Sequence, residues 1–285
     1  MIPLTRRFTT LFPILLACVA SACAAKQGAA AAPAAPTTPA TASAPAGARA
    51  IPRTADGKPN LQGIWQVRNR AAYGLEYHNS SFGILPGKSV LVDATTIPYT
   101  PAALKTRNQN FEKRAELDPF NKCYMPGVPR IMYLEHPFQI FQTGTHVAMT
   151  FEWSQVFRLI YTDGSKHTDG IEFWMGDSRG RWDGDTLVIE VINHNDQTWL
   201  DASGNFHSEQ LKLTERYSMV DADTIQYEAT FEDPKVYTRP WKVSMPFFRH
   251  KDMDRLLEYQ CQAEKEEQNG DFERDERTWI PKPKP

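Results

Sequence analysis

Apolar and polar residues alternate with a period of two along most of the chain from Phe138 onward. The clearest example is the segment 224–231, TIQYEATF, in which every second residue is apolar. Such alternation indicates a strand with one buried and one wet face, as in antiparallel sheets. The positions expected to face inward are Phe138 and Ile140; Thr145, Val147, Met149 and Phe151; Phe157, Leu159 and Tyr161; Leu187, Ile189 and Val191; Leu211 and Leu213; Ile225, Tyr227, Ala229 and Phe231; Trp241, Val243, Met245 and Phe247; and Leu257, Tyr259 and Cys261.

Short turn signals separate these runs. Asp183-Gly184 and the segment 220–222 are typical of hairpin connections. A first strand is predicted over 60–67, where Gly63-Ile64-Trp65 resembles the Gly-x-Trp pattern on the first strand of lipocalin-like barrels. The chain is therefore predicted to be mainly β, an antiparallel meander that forms a closed or nearly closed calycin-like barrel with one packed interior.

One N-terminal helix is predicted near 100–117, ahead of the sheet. Thr100 can cap the first turn and Pro101 suits the first helical position. Pro119 is expected to end the helix. At the other end of the chain, a charged tail from about residue 262 is expected to be solvated or to form a short surface helix.

The N-terminus is typical of an export signal. Arg6 and Arg7 precede an apolar stretch that is too short for a stable membrane anchor, and small residues lead up to Cys23. Residues 1–23 are therefore predicted to be a signal peptide with a lipoprotein cleavage box, in which Cys23 becomes lipidated. Cys18 is an alternative lipidation site, and an ordinary cleavage with an incidental cysteine is a third possibility. The setting would be the periplasm or the outer membrane of a bacterium, with membrane contact through the lipid anchor.

Residues 24–50 are almost entirely Ala, Pro, Thr and other small or polar types. Such a segment cannot bury enough surface to offset its ordering entropy, so it is predicted to be a disordered tether. Residues 51–285 then form a single β-barrel-like domain. The four cations before residue 51 are accompanied by no acid, so the net charge of -2 becomes -6 for residues 51–285. A mildly acidic domain without a basic stripe argues against a nucleic-acid partner.

Two cysteines, Cys123 and Cys261, remain in the domain. In an oxidising compartment such a pair most often forms a disulfide, and two buried thiols are the alternative. Neither cysteine has a CxxC partner, and the chain has no HxH or HxxxH pair. No metal or other cofactor is therefore expected.

Three motifs together resemble a known family. They are MPGVPR at 125–130, MGDSRGRWDGDT at 175–186 and HSE at 207–209. This combination is similar to a family of uncharacterised exported bacterial proteins, and the similarity extends over most of residues 52–261. The resemblance implies a secreted or periplasmic setting and supplies no catalytic residue.

Chemistry therefore has to be sought in geometry. Asn193 shares parity with the strand that contains Val191, and His207 and Glu209 share parity with Leu211. If the chain is a simple meander, these polar side chains face inward at one barrel mouth. The same mouth is expected to collect polar and aromatic residues from the neighbouring loops, namely Asn195, Asp196, Thr198, Trp199, Asp201, Asp233, Tyr237 and Arg239, with Glu152 nearby.

Three functions fit such a mouth. A small, partly apolar molecule could bind there, lined by Asn193, Asn195, Trp199, Tyr237 and Arg239. Alternatively, a cofactor-free acid/base enzyme (an isomerase, lyase or hydrolase) could use His207 as base with Glu209 or Asp196 as its partner. In the third possibility, the His-Ser-Glu segment only satisfies backbone groups of a long loop and the protein is an envelope interaction module without a pocket.

The opposite mouth offers a rival site. His167, Asp177 and Ser178 lie in or beside the connection 162–185, together with Tyr161, Asp163 and Trp174. These residue types suggest a Ser-His-Asp triad. The Gly-x-Ser-x-Gly elbow is missing, however, and Asp-Ser-Arg-Gly is more typical of a turn. The first mouth is therefore preferred.

Overall fold

The computed structural model describes residues 50–81, 83–270, 273–274 and 281–282. The predicted signal peptide, the candidate lipidation sites Cys23 and Cys18, and the predicted tether up to residue 49 lie outside the described residues. Within the described residues, no helix is both long enough and apolar enough to cross a membrane.

The centre of the fold is a closed barrel of nine strands, as the alternation predicted. β1 closes it by pairing with both β2 and β9, with Gly63 opposite Ile140 and Trp65 opposite Arg249. The strands are β1 (Gly63–Val67), β2 (Phe138–Gln142), β3 (His146–Phe151), β4 (Phe157–Tyr161), β5 (Asp177–Asp183), β6 (Thr186–Ile192), β7 (Lys212–Asp221), β8 (Thr224–Glu232) and β9 (Trp241–Arg249). A separate pair joins β10 (Glu273–Arg274) to β11 (Pro281–Lys282).

The barrel is mixed rather than purely antiparallel. β4 and β5 run in parallel, and their pairing covers only Ile160 opposite Ser178 and Tyr161 opposite Arg179. The prediction of a simple meander is wrong at this point. The long connection 162–176 carries the chain back to the starting end of β4 before β5 begins, so the two strands point the same way.

In the described part of the chain, three α-helices flank the barrel: α1 (Pro101–Glu112), α2 (Arg114–Leu117) and α3 (Cys261–Gln268). The Thr100 hydroxyl accepts the Ala103 N–H at 3.2 Å and Pro101 occupies the first turn of α1. Sequence predicted one helix over 100–117, whereas the structure has a break at Lys113, which leaves helical backbone geometry with φ of -107°. The start of the charged tail forms α3. The last strand expected at Leu257, Tyr259 and Cys261 is not formed, since Leu257 is 66% exposed and Cys261 begins this helix.

Large side chains fill the barrel interior. Trp65, Phe231 and Trp241 are completely buried, and the rings of Phe231 and Trp241 stack with centroids 4.0 Å apart. A second pair of rings, Tyr227 and Phe247, stacks with centroids 4.8 Å apart. Because the rings of Tyr227, Phe231, Trp241 and Phe247 come from the alternating positions of β8 and β9, the period-two pattern did identify the buried face of these two strands.

β4 is turned the other way from its prediction. Phe157, Leu159 and Tyr161 were expected inside, but Phe157 is 74% exposed, whereas Arg158 and Ile160 are buried. The reason is the partner that Arg158 finds inside. Its guanidinium forms a buried ion pair with Glu215 of β7, so the arginine side of β4 faces the interior and the apolar side faces outward.

A disulfide joins Cys123 to Cys261, as the sequence predicted, across 138 residues of chain. Cys123 ends a short 3-10 helix (Pro119–Lys122), and Cys261 begins α3. The bond therefore fastens α3 to the segment that follows α2.

Candidate functional site

The structure buries His207 instead of placing it at an open mouth. The side chain lies before β7, which begins only at Lys212, so strand parity did not apply to it. In the neutral ring, Nδ1–H donates to the Ser208 carbonyl at 2.9 Å, and Nε2 accepts from the Thr198 hydroxyl at 2.7 Å. His207 is 1% exposed, so both ring nitrogens are used internally.

Glu209 and Asp196, the expected partners of His207, lie elsewhere. The Glu209 carboxylate forms a surface ion pair with Lys235. Asp196 is exposed and accepts from the side-chain amide of Gln197 at 2.7 Å. The structure does not bring His207, Glu209 and Asp196 together, so the predicted acid/base set is not assembled.

The predicted ligand-binding residues of this mouth mostly satisfy the backbone of the loops that carry them. Asn193 has a φ of 58° and donates to the Thr168 carbonyl, and Asn195 accepts the Gln197 N–H at 3.1 Å. The remaining three are similar: Trp199 pairs with Phe206 in an isolated bridge, Tyr237 donates to the Phe206 carbonyl at 2.7 Å, and Arg239 donates to the Pro240 carbonyl at 3.0 Å. Loop anchoring, the third possibility raised by the sequence, describes these contacts best.

Two buried acids hold this loop region in place. Asp201 accepts from the backbone N–H groups of Leu75, Ser203 and Asn205 and from the Asn205 side chain, at 2.6–3.2 Å. Burial raises the pKa of Asp201 to about 6, although these N–H donors favour the carboxylate. Asp233 accepts from both the backbone and the hydroxyl of Ser208, at 2.7 and 2.9 Å. Both acids act as anchors of the loops.

A second buried histidine, His194, packs beside His207. The two rings meet edge to face with centroids 5.3 Å apart, and His194 is 1% exposed. Burial lowers the pKa of His194 well below its usual range, and the neighbouring His207 ring lowers it further. Burial also lowers the pKa of His207, although the Ser208 carbonyl opposes this shift. Both rings are therefore neutral at pH 7.

We expect this histidine pair to make the fold sensitive to acid. A histidine with a lowered folded pKa stabilises the fold fully above its unfolded pKa of about 6.5, and this contribution is lost as the pH falls from there toward the folded pKa. Each histidine should therefore cost about 1.4 kcal/mol of unfolding free energy per pH unit in this window. Urea unfolding at several pH values between 8 and 5 measures the slope.

His194→Leu isolates one part of that slope, because Leu keeps the bulk of the ring and cannot be protonated. The variant should lose less stability than the parent protein between pH 6.5 and 5. Comparing the two proteins at each pH cancels the opposite contribution of Asp201, whose raised pKa favours the folded state as the pH falls below about 6. Equal slopes in the two proteins would show that His194 is not the sensitive group.

The rival site is only partly assembled. His167 Nδ1 lies 3.2 Å from Asp177 Oδ2, and Arg179 pairs with the other oxygen of the same carboxylate at 2.7 Å. Ser178 faces the opposite side of β5, where its hydroxyl oxygen accepts from Nε and Nη2 of Arg158 at 3.2 and 3.0 Å. Neighbouring residues on a strand point to opposite faces, so His167 and Ser178 cannot form a triad.

A large open cleft lies beside this rival site. It has a volume of about 780 Å3 and separates β4 from residues 172–178. The cleft exists because the chain turns away from β4 just before β5. Gly176, with a φ of 64°, makes this turn, and a Cβ there would meet Val191 at 2.5 Å and His194 at 2.8 Å.

The cleft has apolar walls and a small polar floor. The outward side chains of β4 form one wall, and the facing segment forms the other. The apolar lining residues are Met125, Trp153, Val156, Phe157, Leu159, Tyr161, Phe173, Trp174 and Met175. Arg158 and Ser178 reach the floor from inside the barrel. Ser178 accepts two N–H groups, and no hydrogen bond among the described residues uses its hydroxyl proton, which can therefore be donated to a ligand.

Tyr161, Trp174, Asp177 and Ser178 of this cleft were recognised in the sequence, but Phe157 and Leu159 of its main wall were missed. The sequence carries no signal for this wall, because Phe157, Leu159 and Ile160 place apolar residues on both faces of β4. Within residues 50–81 and 83–270, no group of three His, Cys, Asp or Glu side chains is placed to hold a metal ion.

No protein-family model and no curated protein matches this chain. The chemistry and shape of the cleft therefore carry what can be inferred about function.

Proposed function

We propose that this chain is an exported lipoprotein that binds a small, partly apolar molecule in the cleft between β4 and residues 172–178. The site lies on the outside of the barrel wall, away from the mouth near His207 that the sequence favoured. The single observation that carries the proposal is the outward face of β4. Phe157, Leu159 and Tyr161 present a row of apolar side chains to an open cavity of about 780 Å3, within the range of small-molecule sites.

A ligand in this cleft would meet two kinds of contact. Its apolar part would cover the partly exposed aromatic and aliphatic walls, which gives favourable burial of about 25 cal/mol per Å2. An acceptor atom could take the free proton of Ser178. At the rim, the Arg179 guanidinium stacks over the Tyr161 ring at 4.4 Å, and this contact holds the Tyr161 side of the wall in place. Few polar groups within an apolar lining are typical of sites that fix a ligand's orientation.

We expect 1-anilinonaphthalene-8-sulfonate to bind in the cleft, and Leu159→Asp to weaken this binding by at least tenfold. The substitution replaces buried apolar contact by a charge whose desolvation is unfavourable. Phe141→Asp is the matched control, because Phe141 is likewise an outward, 44% exposed side chain but lies on β2 and does not line the cleft. Titration of the probe's fluorescence measures both affinities. Equal loss of binding in the two variants, or no loss in either, would contradict the assignment of the cleft.

The export part of the proposal rests on the N-terminal sequence, and the Cys123–Cys261 disulfide agrees with an oxidising compartment.

We expect palmitate labelling of the full-length protein to be lost in Cys23→Ser and kept in Cys18→Ser. The lipid is attached to the first residue after cleavage, so the labelled cysteine identifies the processing site. Labelling that survives in Cys23→Ser and disappears in Cys18→Ser would move the site to Cys18, and no labelling of the parent protein would remove the anchor altogether.

A further inference from the structure

The cleft exposes one edge of β4. On one side, β4 pairs with β3 over its whole length, from His146 opposite Tyr161 to Thr150 opposite Phe157. On the other side, pairing with β5 begins only at Ile160. Among the described residues, no strand therefore pairs with the stretch from Phe157 to Leu159 on the side of the cleft.

The backbone groups of this edge point into the cleft. The Phe151 N–H donates to the Val156 carbonyl at 2.9 Å, and the Thr162 N–H donates to the Thr145 carbonyl at 2.8 Å. In an antiparallel ladder alternate residues bond to the same neighbour, so the even-numbered residues of β4 bond to β3. The amide groups of Phe157 and Leu159 then face the other way. No backbone hydrogen bond between described residues occupies either N–H.

The opposite wall of the cleft does not satisfy this edge, because the backbone of Phe173 in that wall is already paired with other residues. The Phe173 N–H donates to the Asn193 carbonyl at 2.8 Å, and the Phe173 carbonyl accepts the Asn195 N–H at 3.1 Å. Phe173 thus pairs with the residues that follow β6, and a gap remains beside β4. The gap is lined by apolar side chains and bordered by the backbone N–H groups of Phe157 and Leu159.

We infer that the cleft takes a short, extended peptide segment that pairs with the free edge of β4, a conclusion that rests on the proposed ligand-binding role of the cleft. A peptide backbone supplies donors and acceptors at the spacing of a neighbouring strand, whereas a purely apolar ligand would leave the Phe157 and Leu159 amides buried without partners. Native sheets usually protect an exposed edge with charges or proline, and the outward residues Phe157 and Leu159 of this edge are apolar instead.

The charge of the rim indicates which peptides fit. Glu172 lines the cleft, is exposed, and forms no ion pair with any described residue. The other acid at this rim, Asp177, is already paired with Arg179. The peptide should therefore combine apolar side chains, which contact the walls, with a basic side chain or free amino group that reaches Glu172.

Backbone methylation of a probe peptide tests this inference on the full-length protein. The probe is acetyl-Phe-Lys-Leu-Val-amide, and its two isomers carry an N-methyl group on the Lys or on the Leu nitrogen. Adjacent amides of an extended peptide point to opposite sides, so one isomer loses a hydrogen bond to β4 and the other does not. Calorimetric titration should show roughly tenfold weaker binding of one isomer and nearly unchanged binding of the other. Equal affinities of the two isomers would overturn the inference.

A pair of protein variants tests the same pairing by changing β4 instead of the peptide. Leu159→Ala removes a side chain, and Leu159→Pro removes the side chain and the N–H that points into the cleft. The Pro variant should bind the peptide roughly tenfold more weakly than the Ala variant, because it lacks the N–H donor. The Pro and Ala variants should bind 1-anilinonaphthalene-8-sulfonate with the same affinity as each other. If Leu159→Pro fails to fold, the two methylated isomers still decide. If the parent protein binds the fluorescent probe but not the peptide, the inference is overturned and the proposed function still stands. If it binds neither, both the inference and the proposed function are overturned.

Discussion

Arg158→Met is expected to reduce the free energy of unfolding by about 3–5 kcal/mol, one of the two largest effects expected in this protein. Arg158 and Glu215 are 3% and 0% exposed, and they form a buried ion pair inside the barrel. Burial by itself would lower the pKa of Arg158, but the Glu215 carboxylate outweighs it and the net pKa is raised. Without the guanidinium, the carboxylate would remain in the barrel interior as an unpaired charge.

Two tyrosine hydroxyls contact Glu215, but they do not offset the loss of Arg158. The hydroxyls of Tyr217 and Tyr227 donate to Glu215 Oε1 at 3.1 and 2.8 Å, and burial together with this carboxylate raises the pKa of both tyrosines well above the usual range. These two donors cannot replace the positive charge that Arg158 supplies. Replacing both members of the ion pair, as in Arg158→Met with Glu215→Leu, should therefore recover much of the lost stability, because no charge is left buried.

Arg216→Met is the control for this experiment. Arg216 is the neighbour of Glu215 in sequence, and its ion pair with Asp183 lies at the surface, at 3.3 Å. Its loss should cost less than about 1 kcal/mol, since solvent screens exposed pairs. Denaturant unfolding with a fitted midpoint and slope gives all four free energies. If Arg158→Met costs no more than Arg216→Met, the buried pair does not hold β4 in its observed orientation.

Removing the disulfide should have a comparable effect. We expect Cys123→Ser to lower the free energy of unfolding by about 4–5 kcal/mol, because a crosslink that spans 138 residues restricts the unfolded chain strongly. Unfolding in denaturant, monitored by tryptophan fluorescence, measures the change. Mass spectrometry of the unreduced protein should detect no free thiol at Cys123 or Cys261.

The chain supplies internal controls for the disulfide. Cys123→Ser, Cys261→Ser and the double variant should all have the same stability, since each removes the same bond. A reductant should lower the stability of the parent protein to that common value and leave the variants unchanged. A loss below 1 kcal/mol would indicate that the bond only fastens α3 locally and does not restrict the unfolded chain as a whole.

The sequence predicted the barrel well in strands where the alternation of polarity matches the inward and outward faces. In β8 and β9 each inward residue is apolar and every outward residue except Phe248 is small, polar, charged or proline, so one face of the strand is clearly the core face. The Asp183-Gly184 turn and the Thr100 cap depend on residues next to each other in the chain, and both were found. The disulfide followed because Cys123 and Cys261 are the two cysteines between residue 51 and the C-terminus.

The site predicted at the barrel mouth near His207 does not form, and the reason is physical. Strand parity was extended from Leu211 back to Glu209 and His207, but β7 begins only at Lys212, and the preceding residues follow a loop that Asp201 and Asp233 organise. Outside a strand, alternate residues no longer share a face. His207 therefore became a buried, internally bonded ring, and Glu209 became a surface residue.

The sequence by itself determined that the chain is mainly β, where most strands lie and which cysteines join, since these follow from local periodicity and a small number of candidates. The tertiary structure alone decided which face of β4 is buried and that β4 runs parallel to β5. Both sides of FRLIY contain apolar residues, so periodicity could not choose between them. The choice depends on Glu215, Tyr217 and Tyr227, which lie more than 50 residues away and enclose the Arg158 charge. The open apolar cleft is a consequence of that buried pair.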